Sequence, residues 1–355
     1  MSTVPQTVWV LGSGFSKSLG GPLLTELISS KTAEETREVF PGLPKREIVY
    51  HLYKEHPNLW SHAEEFLDYI DTALRANSPR RKIFERHLQH SAHMTLGAGM
   101  KMTVEEFRDE AILTVAAECS TYTQNVDIHA EAWGPYRQWA SQRGPSDTII
   151  TFNYDMVLEK LMVKDGPFTP ESFVLPSRGP KGNSKSAVVL KLHGSVNWGI
   201  EVSGPGKPVP DIVPEIEDYT KGVHRPLIAT PGATKSNYCN QKLQTLWDAA
   251  VQALREAEVI VFLGYRFPPS DSEARQRLLR GIAENKTTGR LFIHTVLGPK
   301  VHDDATVRLT GLLRHTVKGA KRYENGTPSY AIVNQPLYVE DFLSVMTPIG
   351  LTSAI

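Results

Sequence analysis

The sequence has few cysteines, no net charge and no long apolar run. Its 355 residues contain two cysteines, Cys119 and Cys239. Two thiols cannot form a four-thiolate zinc site, and no Cys-x-x-Cys pair exists. A disulfide-built secreted scaffold is excluded on the same count. Lys+Arg and Asp+Glu balance at 39 each. The chain therefore lacks the basic excess with which a dedicated nucleic-acid binder neutralises phosphates, and it lacks a polybasic signal for anionic membranes. No stretch approaches the ~20 apolar residues of a membrane span. The N-terminus, MSTVPQTVWVLGSGF, has no basic segment followed by a long apolar one, as a signal peptide would. The expectation is a cytoplasmic protein that binds neither membrane nor nucleic acid. A hydrophobic content of 40% with 22% charged residues suits a folded globular chain. At this length about three quarters of the unfolded surface can be buried, so no staple is needed.

What is present alternates between strand-like and helix-like runs. TVWVL at 7–11 is a short apolar run ending in Gly-Ser-Gly, the pattern of a buried parallel strand feeding a tight turn. A helical stretch is expected through Leu23, Leu24, Leu27 and Ile28. From there to about residue 145 the apolar positions recur at helical spacing, as in Phe66, Leu67, Ile70 and Leu74, or Phe107, Ala111, Leu113 and Ala116. Strand patterns resume with TIIT at 148–151, followed by AVVLKLHGS at 187–195, RPLIATPG at 225–232, VIVFLGY at 259–265 and RLFIHTVLGP at 290–299. QKLQTLWDAAVQALREA at 241–257 is an amphipathic helix. This alternation predicts an α/β fold, a Rossmann-like parallel sheet with a large helical insert. The expected layout is one domain over 1–355: a core at about 5–30 and 146–300, an insert at about 31–145 and a C-terminal extension at about 301–355.

Four constellations sit where strands end, the place where open α/β sheets bind ligands. Gly12-Ser13-Gly14-Phe15-Ser16 follows the first strand, and its glycines let backbone amides approach a phosphate. Lys17 stands where the usual dinucleotide fingerprint has glycine, and no acidic residue follows at the usual distance, so an ordinary dehydrogenase is disfavoured. Thr151-Phe152-Asn153-Tyr154-Asp155 places an amide and a carboxylate at the next strand end; they suit ribose hydroxyls or a held water, or plain helix capping. Lys191-Leu192-His193-Gly194-Ser195 offers an imidazole suited to general-base work near neutrality, or a structural histidine. Gly264-Tyr265-Arg266-Phe267-Pro268-Pro269-Ser270-Asp271 follows VIVFL, with Ser270 or Asp271 placed to cap the next helix.

Taken in order, these motifs resemble the SIR2-like family, and within it the bacterial branch that includes NAD-cleaving domains of antiphage defence systems. HAEEFLDYI near 62–70 and PLIATPGATKS at 226–236 add to the resemblance, which covers roughly residues 7–300. It implies an NAD+ glycohydrolase. Asn153, His193 and Asp155 would be catalytic: Asn153 at the ribose hydroxyls or attacking water, His193 as base, Asp155 ordering the pocket. Gly12, Ser13, Gly14, Phe15 and Ser16 would cradle the phosphates. Thr151, Tyr154, Gly194, Gly264 and Tyr265 would complete the NAD site, the last two bordering the adenosine. NAD is then a substrate, and no zinc is expected, because sirtuin deacetylases use a four-cysteine zinc module that two cysteines cannot build. The alternatives are a sirtuin-type protein deacylase and a non-catalytic NAD or ADP-ribose sensor. A toxic NADase needs restraint, so a homo-oligomer or a regulatory partner is expected, with the helical insert or the 204–224 loop as gate.

Thr123-Gln124-Asn125-Val126-Asp127 matches the sirtuin Thr-Gln-Asn-x-Asp more literally than residues 151–155 do. It follows a helical segment, AILTVAAECS, and not a strand, so context favours the later motif. Cys119 reads as a buried packing thiol, Cys239 as inert, and His87, His90 and His93 as a solvated helix face. Glu105, Glu106, Asp109 and Glu110 read as the acidic start of a helix.

Overall fold

A computed structural model of the chain describes residues 5–40, 45–56, 58–60, 62–75, 78–97, 99–163, 166–176, 185–201, 210–212, 224–230, 241–268, 271–319, 323–324, 327–346 and 350–352. Thr7–Leu11 form β1, and the turn after it makes a single helical turn, α1 (Ser13–Ser16). The α-helices α2 (Ser30–Val39), α3 (Arg46–Glu55), α4 (Ala63–Ala73), α5 (Pro79–Leu96), α6 (Val104–Thr121) and α7 (Gly134–Ser141) precede the next strand. Then come β2 (Asp147–Thr151), α8 (Val157–Lys160), β3 (Val188–Lys191), β4 (Gly194–Glu201), β5 (Pro210–Ile212), β6 (His224–Ile228), α9 (Gln244–Glu256), β7 (Val259–Leu263), α10 (Ser272–Ala283), β8 (Leu291–Val296) and α11 (Asp304–Gly319). Two-residue strands β9 (Tyr323–Glu324) and β10 (Thr327–Pro328) lead to β11 (Tyr330–Gln335) and α12 (Val339–Val345).

The main sheet has six parallel strands in the order β11-β8-β7-β1-β2-β3. Its strands are apolar on both faces, as strands covered by helices must be. Val8, Val10, Ile150, Leu190, Ile260 and Phe262 pack with α9, α10 and α11 through Leu246, Leu278 and Leu309. Trp9, Leu11, Ile149, Val261 and Leu263 face the other way, against Trp139 of α7 and Phe342 of α12. Trp9 donates its indole N–H to Asp147 at 2.7 Å, and Asp147 also holds the buried Arg143 at 3.0 Å, which ties the end of α7 to the start of β2.

Helices α2–α6 have a core of their own, built around Phe66, Phe84, Phe107, Ile48, Leu52 and Trp60. Val196 and Ile228 of the small antiparallel sheet β5-β4-β6 join it. α6 starts with a capping box: Thr103 Oγ1 accepts from Glu106 N at 3.1 Å while Glu106 accepts from Thr103 N at 2.8 Å. Its acidic first turn is the one expected from Glu105 and Glu106.

Two local expectations are corrected. No helix runs through Leu23–Ile28; a lone 3-10 turn, Leu24–Glu26, forms instead. Gly20 turns left-handed, Pro22 has no amide to donate, and Ile28 takes φ +56°, so an α-helical ladder cannot propagate. The run 187–195 is not one strand. β3 ends at Lys191, the chain turns at Leu192–His193, and β4 leaves for the second sheet from Gly194 at φ +82°. A Cβ at Gly194 would lie 1.9 Å from Leu227 O, its neighbour on β6, so only glycine allows this corner. The C-terminal stretch supplies more than an extension: β11 is the edge strand of the main sheet, paired in register with β8.

Candidate active site

Parallel register brings the strand ends level. Leu11 pairs with both Thr151 and Leu263, Thr151 pairs with Lys191, and Leu263 pairs with Val296. The residues that follow therefore emerge in one row: Gly12, Phe152–Asn153, Leu192–His193, Gly264–Tyr265 and Leu297–Gly298. β1 connects onward to β2 on one side and is flanked by β7 on the other, which makes its end the switch point of the sheet. A cavity of about 620 Å³ opens there, a size within the range of small-molecule sites.

Asn153 is anchored at the floor of the cavity. Its Nδ2 donates to Gly12 O at 2.9 Å and to Ser16 Oγ at 3.1 Å. Ser16 Oγ in turn donates to Asp155 Oδ2 at 2.7 Å. Asp155 Oδ1 accepts from Val157 N, the first amide of α8, at 3.0 Å, and the residue also lines the cavity. The buried Lys191 ammonium fixes the same segment from behind, 2.6 Å from Asp155 O and 2.8 Å from Glu159 Oε1.

His193 lines the cavity with its ring 4.9 Å from Phe152 and 6.1 Å from Trp247. Its Nε2 lies 3.9 Å from Asp271 Oδ1, and Tyr265 OH donates to Asp271 Oδ2 at 3.1 Å. Burial, followed by the Asp271 charge, raises the Tyr265 hydroxyl well above the usual tyrosine range, so it stays a donor. Tyr265 also stacks on Phe152 at 4.0 Å. Asp271 stands at the N-cap position of α10, yet its side chain makes no cap bond and is turned toward His193, contrary to the capping role expected for it. Ser270 lies outside the described residues.

The glycines meet one another. A Cβ on Gly264, at φ +64°, would come 2.5 Å from Gly14, and one on Gly12 would come 2.6 Å from Gly264 O. Two loops thus cross backbone to backbone at the mouth of the sheet, a packing need that exists before any ligand arrives.

Of the expected site residues, the cavity brings together Gly12, Ser13, Gly14, Ser16, Asn153, Tyr154, Asp155, His193, Gly264 and Tyr265. Three others stand outside its lining. Phe15 is buried edge-on against Tyr136 and Trp139, where an apolar ring gains most from burial. Thr151 is buried, and its hydroxyl accepts from Asn153 N at 3.1 Å. Gly194 serves the β4 corner. Sequence reasoning did not single out Glu64, Tyr122, Arg266 or the segment Tyr338–Glu340, all of which line the cavity. Glu64 lies within HAEEFLDYI and Arg266 within the run after VIVFL, but neither motif assigned them a role, and Tyr122 and Tyr338–Glu340 lie in no motif. Lys191 did leave a signal, a charge at the end of an apolar strand.

Asn125 is exposed, at φ +50°, and contributes nothing to the cavity lining. Cys119 is buried, and its thiol pKa is pushed well up by burial, while one edge of it lines the cavity. His87 packs its ring 4.1 Å from His56 and is only half-exposed. Cys239 and most of the 204–224 loop lie outside the described residues. Among the described residues, no group of three or more His, Cys, Asp or Glu is arranged to hold a metal ion, and no helix is long and apolar enough to cross a membrane.

Comparison with known proteins gives two kinds of match. Among curated proteins, none matches the chain. Among solved structures, a Sir2 in complex with the inhibitor EX-527, 2'-O-acetyl-ADP-ribose and deacetylated p53 peptide aligns over 98% of this chain and 94% of its own, at 15% identity and a TM-score of 0.34. A Sir2–p53 peptide–NAD+ complex aligns over the same shares at 14% identity and a TM-score of 0.36. Likenesses at this level decide nothing about the site. The sequence family described as "SIR2-like domain" matches residues 147–304. The stretch from β2 to the start of α11, which holds Asn153, Asp155, His193, Gly264 and Asp271, thus matches a SIR2-like domain.

Proposed function

We propose that this protein hydrolyses NAD+ to nicotinamide and ADP-ribose. One observation carries the reading. At the switch point of a parallel sheet, a single cavity gathers an anchored amide (Asn153), a serine–carboxylate pair (Ser16–Asp155) and a histidine beside a carboxylate (His193–Asp271). The SIR2-like match over residues 147–304 supports the same substrate class.

The chemistry asks little of the protein. The bond between ribose C1′ and the pyridinium nitrogen breaks, its electron pair stays with the ring, and neutral nicotinamide leaves. A water oxygen then bonds to C1′ and gives up a proton. In this reading Asn153 holds the ribose or the water, and His193 takes the proton with Asp271 beside the resulting imidazolium. Such a base contributes about 10²–10⁴-fold, and positioning supplies much of the rest. The two cysteines of the chain cannot supply the four thiolates of the sirtuin zinc module, which favours water over an acyl-lysine as acceptor.

Purified protein incubated with NAD+ should release nicotinamide and ADP-ribose in equal amounts, and Asn153→Ala and His193→Ala should not. Retained turnover in both variants overturns the assignment. Release that depends on an acetyl-lysine peptide would make the protein a deacylase. Binding without cleavage would make it a sensor. The resemblance to the antiphage branch supports a role in depleting cytoplasmic NAD on infection, with an oligomer or a partner restraining the enzyme until then. Cells expressing the wild type, and not Asn153→Ala, should lose NAD when infected.

A further inference from the structure

Among the described residues, a few buried side-chain polar atoms have no hydrogen-bond partner, and two of these line the cavity: Glu64 Oε1 and the Tyr122 hydroxyl. The others, such as Arg143 Nη2, Trp247 Nε1 and Thr306 Oγ1, belong to residues that do not line it. Both cavity atoms come from the helical insert. Glu64 stands in the first turn of α4, and Tyr122 is the C-cap residue of α6. A buried polar atom left unpaired costs stability unless something else takes up its hydrogen bond, and an active site is where such a cost is usefully kept.

The two atoms differ in what they offer. A glutamate carboxylate accepts hydrogen bonds. The Tyr122 hydroxyl neighbours Ser16 and Asp155 without a well-formed hydrogen bond to either. Burial, and then the Asp155 charge, holds its pKa well above the usual range, so it remains a donor. Leu24, Leu27 and Cys119, which belong to or pack on the insert's apolar core, line the same cavity. An acceptor and a donor on an apolar wall complement a flat ring bearing a primary carboxamide, which presents an NH₂ donor and a carbonyl acceptor.

We infer that the helical insert recognises the carboxamide of the leaving nicotinamide, with Glu64 accepting from its NH₂ and Tyr122 donating to its carbonyl. This inference rests on the hydrolase reading and deepens it. It makes the site selective against the pyridine dinucleotide that carries a carboxylate in place of the carboxamide. That analogue has no proton for Glu64 and sets a like charge beside it.

The test compares NAD+ with nicotinic acid adenine dinucleotide as substrates, and uses ADP-ribose, which lacks the base, as a binding control. The wild type should favour NAD+ by at least about 100-fold in kcat/KM, because a site built to receive a hydrogen bond rejects an analogue lacking it. Glu64→Gln should bring that ratio below about 10, since its amide donates to a carboxylate as well. Tyr122→Phe should lower kcat/KM for NAD+ about tenfold. Neither variant should change the Kd for ADP-ribose by more than about twofold. If the chain binds NAD+ without cutting it, the same ratio is read from dissociation constants. A wild-type ratio near one, a ratio unchanged in Glu64→Gln, or an ADP-ribose affinity that falls along with that for NAD+ overturns the inference while leaving the hydrolase reading in place. A wild type that binds neither NAD+ nor ADP-ribose overturns both.

Discussion

The two walls of the cavity are built on different principles. On the sheet side, the groups that set the geometry are already tied to one another. Asn153 is tied to Gly12 and Ser16, Ser16 to Asp155, Asp271 to Tyr265, and the glycine loops to each other. On the insert side, the lining atoms of Glu64 and Tyr122 are buried and unpaired among the described residues. The sheet wall gets its geometry from backbone register and costs nothing to organise when a ligand arrives. The insert wall gets its geometry from a separate apolar core, around Phe66 and Phe107, and keeps hydrogen-bonding capacity in reserve. Preorganisation of the reacting end and readiness at the recognising end are thus assigned to different parts of the fold.

Substitutions on either wall test this contrast. The largest effect is expected from His193→Ala, which should reduce NAD+ turnover by about 10²–10⁴-fold in steady-state assays of the folded variant, because the base is removed. Gly264→Ala attacks the sheet wall itself. Its Cβ would meet the Gly14 backbone at 2.5 Å from a positive φ, so stability should fall by more than about 3 kcal/mol in urea unfolding, with turnover lost as well.

The insert wall can be loosened through pH. Glu118 lies one residue before Cys119, and burial raises its carboxyl to about 7, against partly compensating hydrogen bonds from Ile28 N and Tyr50 OH. A carboxyl raised in the folded state favours folding below its unfolded value, and that benefit is lost as pH rises through the folded value. Between about pH 4.5 and 7 the wild type should therefore lose about 3 kcal/mol of stability relative to Glu118→Gln, measured as the difference between their urea curves at pH 5 and pH 8. Equal pH dependence in the two proteins would remove Glu118 from the account. The smallest effect is expected at Asn125, exposed outside both walls. Asn125→Ala should leave turnover unchanged and stability within about 0.5 kcal/mol, and a loss of turnover there would exchange the roles of the two Asn motifs.

The contrast also explains what could be read in advance. Strand ends were legible because apolar runs such as TVWVL and VIVFL mark themselves, and because parallel strands deliver whatever follows them to one edge. Asn153, His193 and Gly264 could be nominated on that ground alone. A carboxylate before a helix, such as Asp271, has two uses, and only the position of His193 decides between them. Phe15 was assigned to the ligand because it lies within a glycine motif, but its ring had a better partner in the Tyr136–Trp139 pocket. Residues 187–195 read as one strand because periodicity does not register a change of sheet; the corner depends on Leu227, far along the chain.

By itself, then, the sequence determined the class of fold, the presence of a helical insert and most of the residues at the floor of the cavity, since these follow from local apolar pattern and from the short range of a strand-to-helix turn. The tertiary structure decided which side chains close the site. Lys191 behind Asp155, Asp271 beside His193, and Glu64, Tyr122 and Tyr338–Glu340 in the cavity lining are brought there by contacts between distant segments. Local patterns carry no record of such contacts, because a side chain's role depends on what the packed core sets opposite it.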